Sequence, residues 1–332
     1  MAHGLKPVFK TTVDEESDVK IDSLVIDTSY LAHKHLHALR RFETEDGLPS
    51  GHVYGAFKQI KNLFFSLRPR KLVFTYDRRC TWRANIVSSY KQDRRPADGN
   101  NDAWSPSPDV ERLFRGFPGT HLALDGAEAD DMIAWYVLNN PAEQRRGSIA
   151  IISADRDLFQ LVDDEQQVAI CLVKKPKDKP KGKSQNYWIR SDEVAEEFGV
   201  PPTAVARIKA LLGDPSDSIE GLTGGSRPGK KEALRKFATS SEGDVYFDAA
   251  QACPPCSTVP DWLTPELVSQ RQRLLNNFEI ADLRSASKRY APVVETTKGS
   301  VGQTLGVLVE FECESLLAQA EPLFQAMSRL EV

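Results

Sequence analysis

Four apolar runs in this chain each deliver an acidic side chain just past their ends, and this pattern narrows the fold more than any other feature. Ser23-Leu-Val-Ile26 ends at Asp27, and Lys71-Leu-Val-Phe-Thr-Tyr76 ends at Asp77. His121-Leu-Ala-Leu124 precedes Asp125 and the run Glu128-Ala-Asp130-Asp131, and Ser148-Ile-Ala-Ile-Ile152 precedes Asp155 and Asp157. Continuous apolar runs of this length suit strands buried on both faces of a parallel sheet. Between them, Val53, Ala56, Phe57, Ile60, Phe64 and Leu67 recur at helical spacing until Pro69, and Met132, Ile133, Tyr136 and Val137 form a second stripe. The alternation predicts an α/β fold, a mostly parallel central sheet with helices on both faces. Ligands of such sheets gather outside the carboxyl ends of the strands. An Asp that caps the following helix explains one or two of these acids; it does not explain the doubled and tripled ones.

Asp214-x-x-Asp217 completes a set of nine: Asp27, Asp77, Glu128, Asp130, Asp131, Asp155, Asp157, Asp214 and Asp217. Glu128 and Asp131, three apart at the front of a helix, share a face. Carboxylates gathered this closely repel one another and need compensating charge. Hard oxygen ligands suit Mg²⁺ or Mn²⁺, and two ions roughly 4 Å apart would serve phosphoryl transfer. Without the nine acids the formal net charge of −4 would be +5. Lys and Arg cluster at Arg78-Arg79, Arg83, Lys91, Arg94-Arg95, Lys174 to Lys183 and Arg227 to Lys231. Local clusters, not the total, decide phosphate binding.

The chain of 332 residues has no apolar run approaching the roughly 18 residues of a membrane span. Residues 1–20 read as a polar tail without the apolar core of a signal peptide, so a cytoplasmic protein is expected. Five cysteines do not make a disulfide framework; Cys253-Pro-Pro-Cys256 has redox spacing, but lacks a second pair and is expected to stay reduced. His33, His35 and His37 alternate on a helix, where i and i+2 diverge, and so read as surface or core histidines; His121 reads as packing. From Ser191 the pattern becomes mainly helical: a capped helix at Ser191, another after Pro201-Pro202, one from Lys230 to Phe237, and one from Pro265 to Leu283 with a break near Asn276-Asn277. The last forty or so residues are apolar but weakly patterned.

Five blocks in order, VIDTSYLAH, FTYDRRCTWRANIVSSYKQDRR, GAEADDMIA, ISADRDLFQLV and LLGDPSDSIEG, resemble the flap endonuclease and 5′-3′ exonuclease family, which includes the 5′-nuclease domains of bacterial DNA polymerase I and phage 5′ nucleases or RNase H. The likeness runs from about Leu24 to about Leu283. It implies a PIN-like nuclease core over 21–190, a helical arch over about 84–120, a helix-hairpin-helix-type DNA-binding subdomain over 191–290, and a C-terminal extension over 291–332. It also implies that the nine acids hold two or three divalent ions, Mg²⁺ with Mn²⁺ able to substitute, and that Lys91 and Arg94 reach the scissile phosphate from the arch. Tyr90 would stack on a terminal base, and Arg83, Arg95, Arg227, Lys230 and Lys231 would contact the nucleic acid. The implied partner is DNA with a 5′ flap, nick or single-strand/duplex junction, or an RNA–DNA hybrid, met by a monomer.

Two segments depart from the family pattern. The helix-hairpin-helix loop is normally a compact Gly-x-Gly-Pro-Lys; here Gly224-Gly-Ser-Arg-Pro-Gly229-Lys230-Lys231 is longer, which puts a monovalent cation there in question. The polar, Pro- and Gly-rich stretch after Lys91 predicts an arch that is partly disordered without DNA. The Lys174 to Lys183 run is either a solubilising loop or a duplex contact. Three other readings compete. A haloacid-dehalogenase-like phosphatase needs a second Asp where Ser29 stands. A PIN-type single-strand ribonuclease would not need the Ser191 to Phe237 segment. A non-catalytic DNA-junction binder has no reason to keep all nine acids.

Overall fold

The computed structural model describes residues 20–92, 105–174, 184–222 and 229–331. Its strands are β1 (Ile21–Asp27), β2 (Lys71–Thr75), β3 (Gly119–Leu122), β4 (Ser148–Ile152), β5 (Val168–Lys174), β6 (Gln185–Ile189), the short pair β7 (Gly213–Asp214) and β8 (Ile219–Glu220), and β9 (Glu295–Thr297). Seven of them form one sheet in the order β6-β5-β4-β1-β2-β3-β9. The five inner strands are parallel, and the two edges, β6 and β9, run antiparallel. Chain order reverses at β1, which lies between β2 and β4, and a crevice at such a switch point is where α/β sheets bind ligands.

Every residue of β1 is buried. Val25, Val73, Ile149, Ile151 and Ile170 pack on one face with Met132 and Ile133 of the helix Ala129–Leu138. Leu24, Ile26, Leu72, Phe74 and Ile152 pack on the other with Phe57, Ile60 and Phe64 of the helix Gly51–Leu67. The period-two alternation of strand side chains thus feeds two apolar layers, and this is why the strands read as continuous hydrophobic runs. Register then places the acids. Asp27 pairs with Thr75, two residues before Asp77, and Ile26 pairs with Ile152, three before Asp155.

Residues 105–120 do not extend an arch. Ser107–Arg115 is a helix that buries Val110, Leu113 and Phe114, and Phe114 stacks on Phe74 at 5.0 Å between ring centroids. The C-terminal residues are core as well. β9 pairs with β3, and Leu308, Leu316, Ala320, Leu323 and Met327 of the last two helices join the layer containing Phe57 and Phe64. Residues 191–290 are helical apart from β7 and β8. Asn276-Asn277 causes no break, because the buried Asn277 side chain donates to Ala210 O at 3.2 Å and Glu220 O at 2.8 Å inside the helix Arg271–Ala281; the break falls at Gln270, between two helices. Gln160 fastens this region to the core, donating to Asp157 O and Ala281 O and accepting from Leu283 N.

Candidate metal centre

Each acid arrives at the carboxyl edge of the sheet by a local device. Asp27 ends β1 and caps the helix Thr28–Ala38: its Oδ1 accepts from Tyr30 N at 2.9 Å, and its Oδ2 accepts from Ser153 Oγ at 2.8 Å. Asp77, two residues past β2, accepts from Ala129 N at 2.7 Å, which ties β2 to the start of the helix carrying Asp130. Asp155 follows β4 and caps a 3₁₀ turn, accepting from Asp157 N at 2.9 Å. Asp214 caps another such turn before Asp217, accepting from Ser216 N at 3.0 Å. Capping therefore orients several of these carboxylates, and it leaves each an oxygen for other work.

Two groups of three emerge. Asp130, Asp155 and Asp157 can each offer an oxygen within 4.8 Å of the others, and Asp157, Asp214 and Asp217 can do the same. Asp157 belongs to both. An all-carboxylate donor set with a shared member fits two hard divalent cations. The electrostatics at and beside the first group agree. Burial, then the neighbouring Asp77, pushes the Asp27 carboxyl up to about 7. Burial, then Asp155 and Asp27, holds the half-buried Asp130 carboxyl well above the usual range. Burial and like charge both disfavour the ionised carboxylates here, so a compensating cation is favoured.

Residues 22–199 match the family model described as 5′-3′ exonuclease, N-terminal resolvase-like domain. This chain belongs to the 5′-3′ exonuclease family. It is 31% identical over 240 residues to a 5′-3′ exonuclease of Streptomyces coelicolor, covering 69% of this chain and 72% of that one. It is 30% identical over 280 residues to DNA polymerase I of Mycobacterium tuberculosis, of which it spans only 28%. The fold is shared with the T5 D15 protein, crystallised with metal ions, at a TM-score of 0.57 and 16% identity over 91% of this chain and 99% of that one.

In this exonuclease-family chain the basic residues sit differently from the sequence expectation. Arg83 was expected at the nucleic acid; instead it is 1% exposed. Its guanidinium grips both Asp131 oxygens at 2.9 and 2.6 Å, reaches Glu128 at 3.1 Å and donates through Nε to Ile280 O at 2.9 Å. Asp131 is correspondingly drawn away from the two acid groups: its carboxylate neutralises Arg83 and accepts from Glu128 N at 3.0 Å. Glu128 is likewise engaged, by Lys91 Nζ at 2.8 Å and Tyr90 Oη at 2.9 Å. Burial works to raise the Glu128 carboxyl, but Lys91 and Arg83 outweigh it and hold the group below its ordinary value. Tyr90 is no free stacking platform in this conformation, because its ring is buried with Ile219 and Ile280. Lys230 does not point into open solvent either; its ammonium meets Glu266 at 2.7 Å, while Lys231 is exposed. Arg94, Arg95 and Arg227, the irregular glycine loop apart from Gly229, and most of the lysine run lie outside the described residues.

Two residues of the centre escaped the sequence reading. Ser153, fully buried, donates to Asp27 and accepts from Asp155 N at 3.1 Å, so one hydroxyl links the ends of β1 and β4. Lys209 places its ammonium on Asp214 Oδ2 at 2.6 Å and also on Asp157. Its position five residues before Asp214, in the last turn of the helix Val205–Leu212, was the available signal. Of the histidines singled out in the sequence, His35 bonds Gln59, and His121 lies between Tyr76 Oη and Phe117 O. Among the described residues no helix is long and apolar enough to cross a membrane.

Proposed function

We propose that this family member is a divalent-metal-dependent, structure-specific 5′ nuclease. It hydrolyses phosphodiester bonds near 5′ ends or at single-strand/duplex junctions and leaves a 5′-phosphate. The observation that carries this reading is the pair of three-carboxylate groups sharing Asp157, at the switch point of the sheet. Asp130, Asp155 and Asp157 would hold one ion, and Asp157, Asp214 and Asp217 a second, with Mg²⁺ the resident metal and Mn²⁺ a substitute. Such ions supply an activated water and charge stabilisation at the leaving oxygen. Asp27, Asp77 and Glu128 would complete the anionic wall around these ions.

The chain's own cations have the remaining work. Lys91 reaches the pocket from a left-handed backbone position, φ 50°, held by its N–H on Asp217 O at 2.9 Å. Released from Glu128, its ammonium would meet the scissile phosphate and offset the negative charge that develops there; Arg94 would join it from the arch. Lys231 and Arg227 would contact the duplex backbone, which positions without reading sequence. Kinship with the DNA polymerase I chains supports a role in replication or repair, with removal of primers or flaps as the reaction.

The test is a matched panel of 5′-flap, nicked, gapped and RNA–DNA hybrid substrates, with single-stranded RNA beside them, each with and without Mg²⁺. Cleavage confined to the junction substrates and dependent on the metal is expected. Cleavage of the single-stranded RNA alone would replace this reading with that of a ribonuclease. Binding without cleavage would replace it with that of a junction-binding protein.

A further inference from the structure

Lys209 stands apart from the other cations of the centre. Its side chain is only 11% exposed, and its ammonium rests on two carboxylates, Asp157 and Asp214, that belong to the same three-acid group. The side chain comes from the last turn of the helix Val205–Leu212, and Asp214 follows that helix directly, so the two are locked into one short segment. Asp157 comes from a separate segment, the turn after β4. The ammonium therefore lies between segments, where a cation shared by those carboxylates would sit. In the first group the ammonium touches only the shared Asp157, whereas in the second it holds two of the three carboxylates. Among the described contacts, Asp130 and Asp155 make no ion pair.

We propose that Lys209 is an internal counter-ion of the second acidic group, and that this group takes up a divalent ion only by displacing the Lys209 ammonium. The inference rests on the reading of the centre as a two-ion site. It goes beyond that reading by making the two sites unequal: the Asp130, Asp155 and Asp157 group loads first and the Asp157, Asp214 and Asp217 group second. An ammonium and a divalent ion on the same carboxylates repel at contact distance, so the second ion binds more weakly than its ligand set alone would dictate. A phosphodiester entering the pocket offers the displaced ammonium a new anionic partner. Uptake of the second ion and of the nucleic acid are then coupled, each strengthening the other by the same factor.

The experiment compares metal-free wild type with Lys209→Met, which keeps the chain length and removes the charge, and with Lys209→Gln. Calorimetric titration with Mn²⁺, and the thermal midpoint as a function of Mn²⁺, are read without any substrate. For wild type two unequal classes of site are expected. In the variants the weaker class should tighten at least tenfold. The metal-free midpoint should fall, because the acids lose their counter-ion, and Mn²⁺ should raise it by more than in wild type. A purely structural ion pair predicts the opposite pattern, with lower stability at every metal concentration and unchanged or weaker affinity, and that result overturns the proposal. Failure of both variants to fold even in Mn²⁺ overturns it too. If wild type itself binds no Mn²⁺, the two-ion reading falls first, and the proposal falls with it.

Discussion

Replacing Arg83 with methionine would strip the Asp131 carboxylate, 0% exposed, of both its guanidinium bonds and leave Ile280 O without its donor. Removing one partner of a buried ion pair strands the other charge in a low-dielectric interior, at a cost of about 3–5 kcal/mol. That is a large share of the roughly 5–15 kcal/mol by which a domain is stable. The geometry places this pair near the top of the range, since Asp131 has no water to fall back on and its remaining donors are Glu128 N at 3.0 Å and a long contact from Tyr290 Oη at 3.4 Å. Urea unfolding of the metal-free protein measures the loss. The double variant Arg83→Met with Asp131→Leu removes both charges and should recover most of it, because an apolar pair of similar volume replaces an ion pair at little cost. A single-variant loss below about 1 kcal/mol, or no recovery in the double variant, would refute the argument. The same variant also tests the expectation from sequence that Arg83 contacts nucleic acid. A direct phosphate contact would lower the salt slope of DNA binding by about 1, whereas the buried clamp predicts an unchanged slope in whatever fraction is folded.

Asp155→Asn should abolish cleavage while sparing or improving DNA binding, since it removes a ligand and a negative charge; full activity in a gel assay would contradict its assignment. Lys91→Ala should slow single-turnover cleavage by about 10²–10³-fold with Mn²⁺ uptake retained; if only substrate affinity changes, Lys91 captures substrate and does no more. In the metal-free protein the folded Asp27 carboxyl is raised to about 7, against about 4 unfolded. The folded state therefore holds the extra proton between those values, and its contribution to stability is complete below about pH 4 and is lost as pH rises through about 7. Urea midpoints of wild type against Asp27→Asn in chelator should show wild type losing ground steadily from pH 5 to pH 8, with a ceiling of about 4 kcal/mol; parallel curves would dismiss the raised carboxyl.

The sheet was legible because its strands are buried on both faces. Val25 and Ile26 face different layers, yet both must be apolar, and this makes a run that composition alone exposes. The acids were legible for the complementary reason: a charge directly after such a run has nowhere to go but the carboxyl edge. What escaped is set by contacts between distant segments. Nothing near Arg83 in sequence announces that Asp131 will meet it 48 positions later, so a basic residue beside a basic cluster read as a phosphate contact. Phe114 lies in a stretch whose Pro and Gly content suggested a partly disordered arch, and its burial depends on Phe74 and Phe117. The last helix hides its pattern behind Pro322, and β9 has only three residues, two of them exposed. Serine carries almost no signal anywhere, so Ser153 could be assigned only by the two carboxylate loops it joins.

The compensations in this centre differ in how readily they can be undone, and the difference divides its acids by role. Arg83 keeps its charge at any physiological pH and has no solvent path along which to withdraw, so Asp131 is committed to the foundation of the site. Lys91 and Lys209 carry flexible stems on the pocket side, at 26% and 11% side-chain exposure, and can turn to another anion. Asp27 and Asp130 have no such cation among their described contacts, and burial with the neighbouring carboxylates raises both. A divalent ion arriving at the Asp130, Asp155 and Asp157 group meets the Lys209 ammonium on one ligand only, the shared Asp157, whereas one arriving beside Asp214 meets it on two. The same logic makes Asp131 the acid whose loss should damage folding more than metal uptake, and Asp155, exposed and held by capping alone, the acid whose loss should damage metal uptake more than folding.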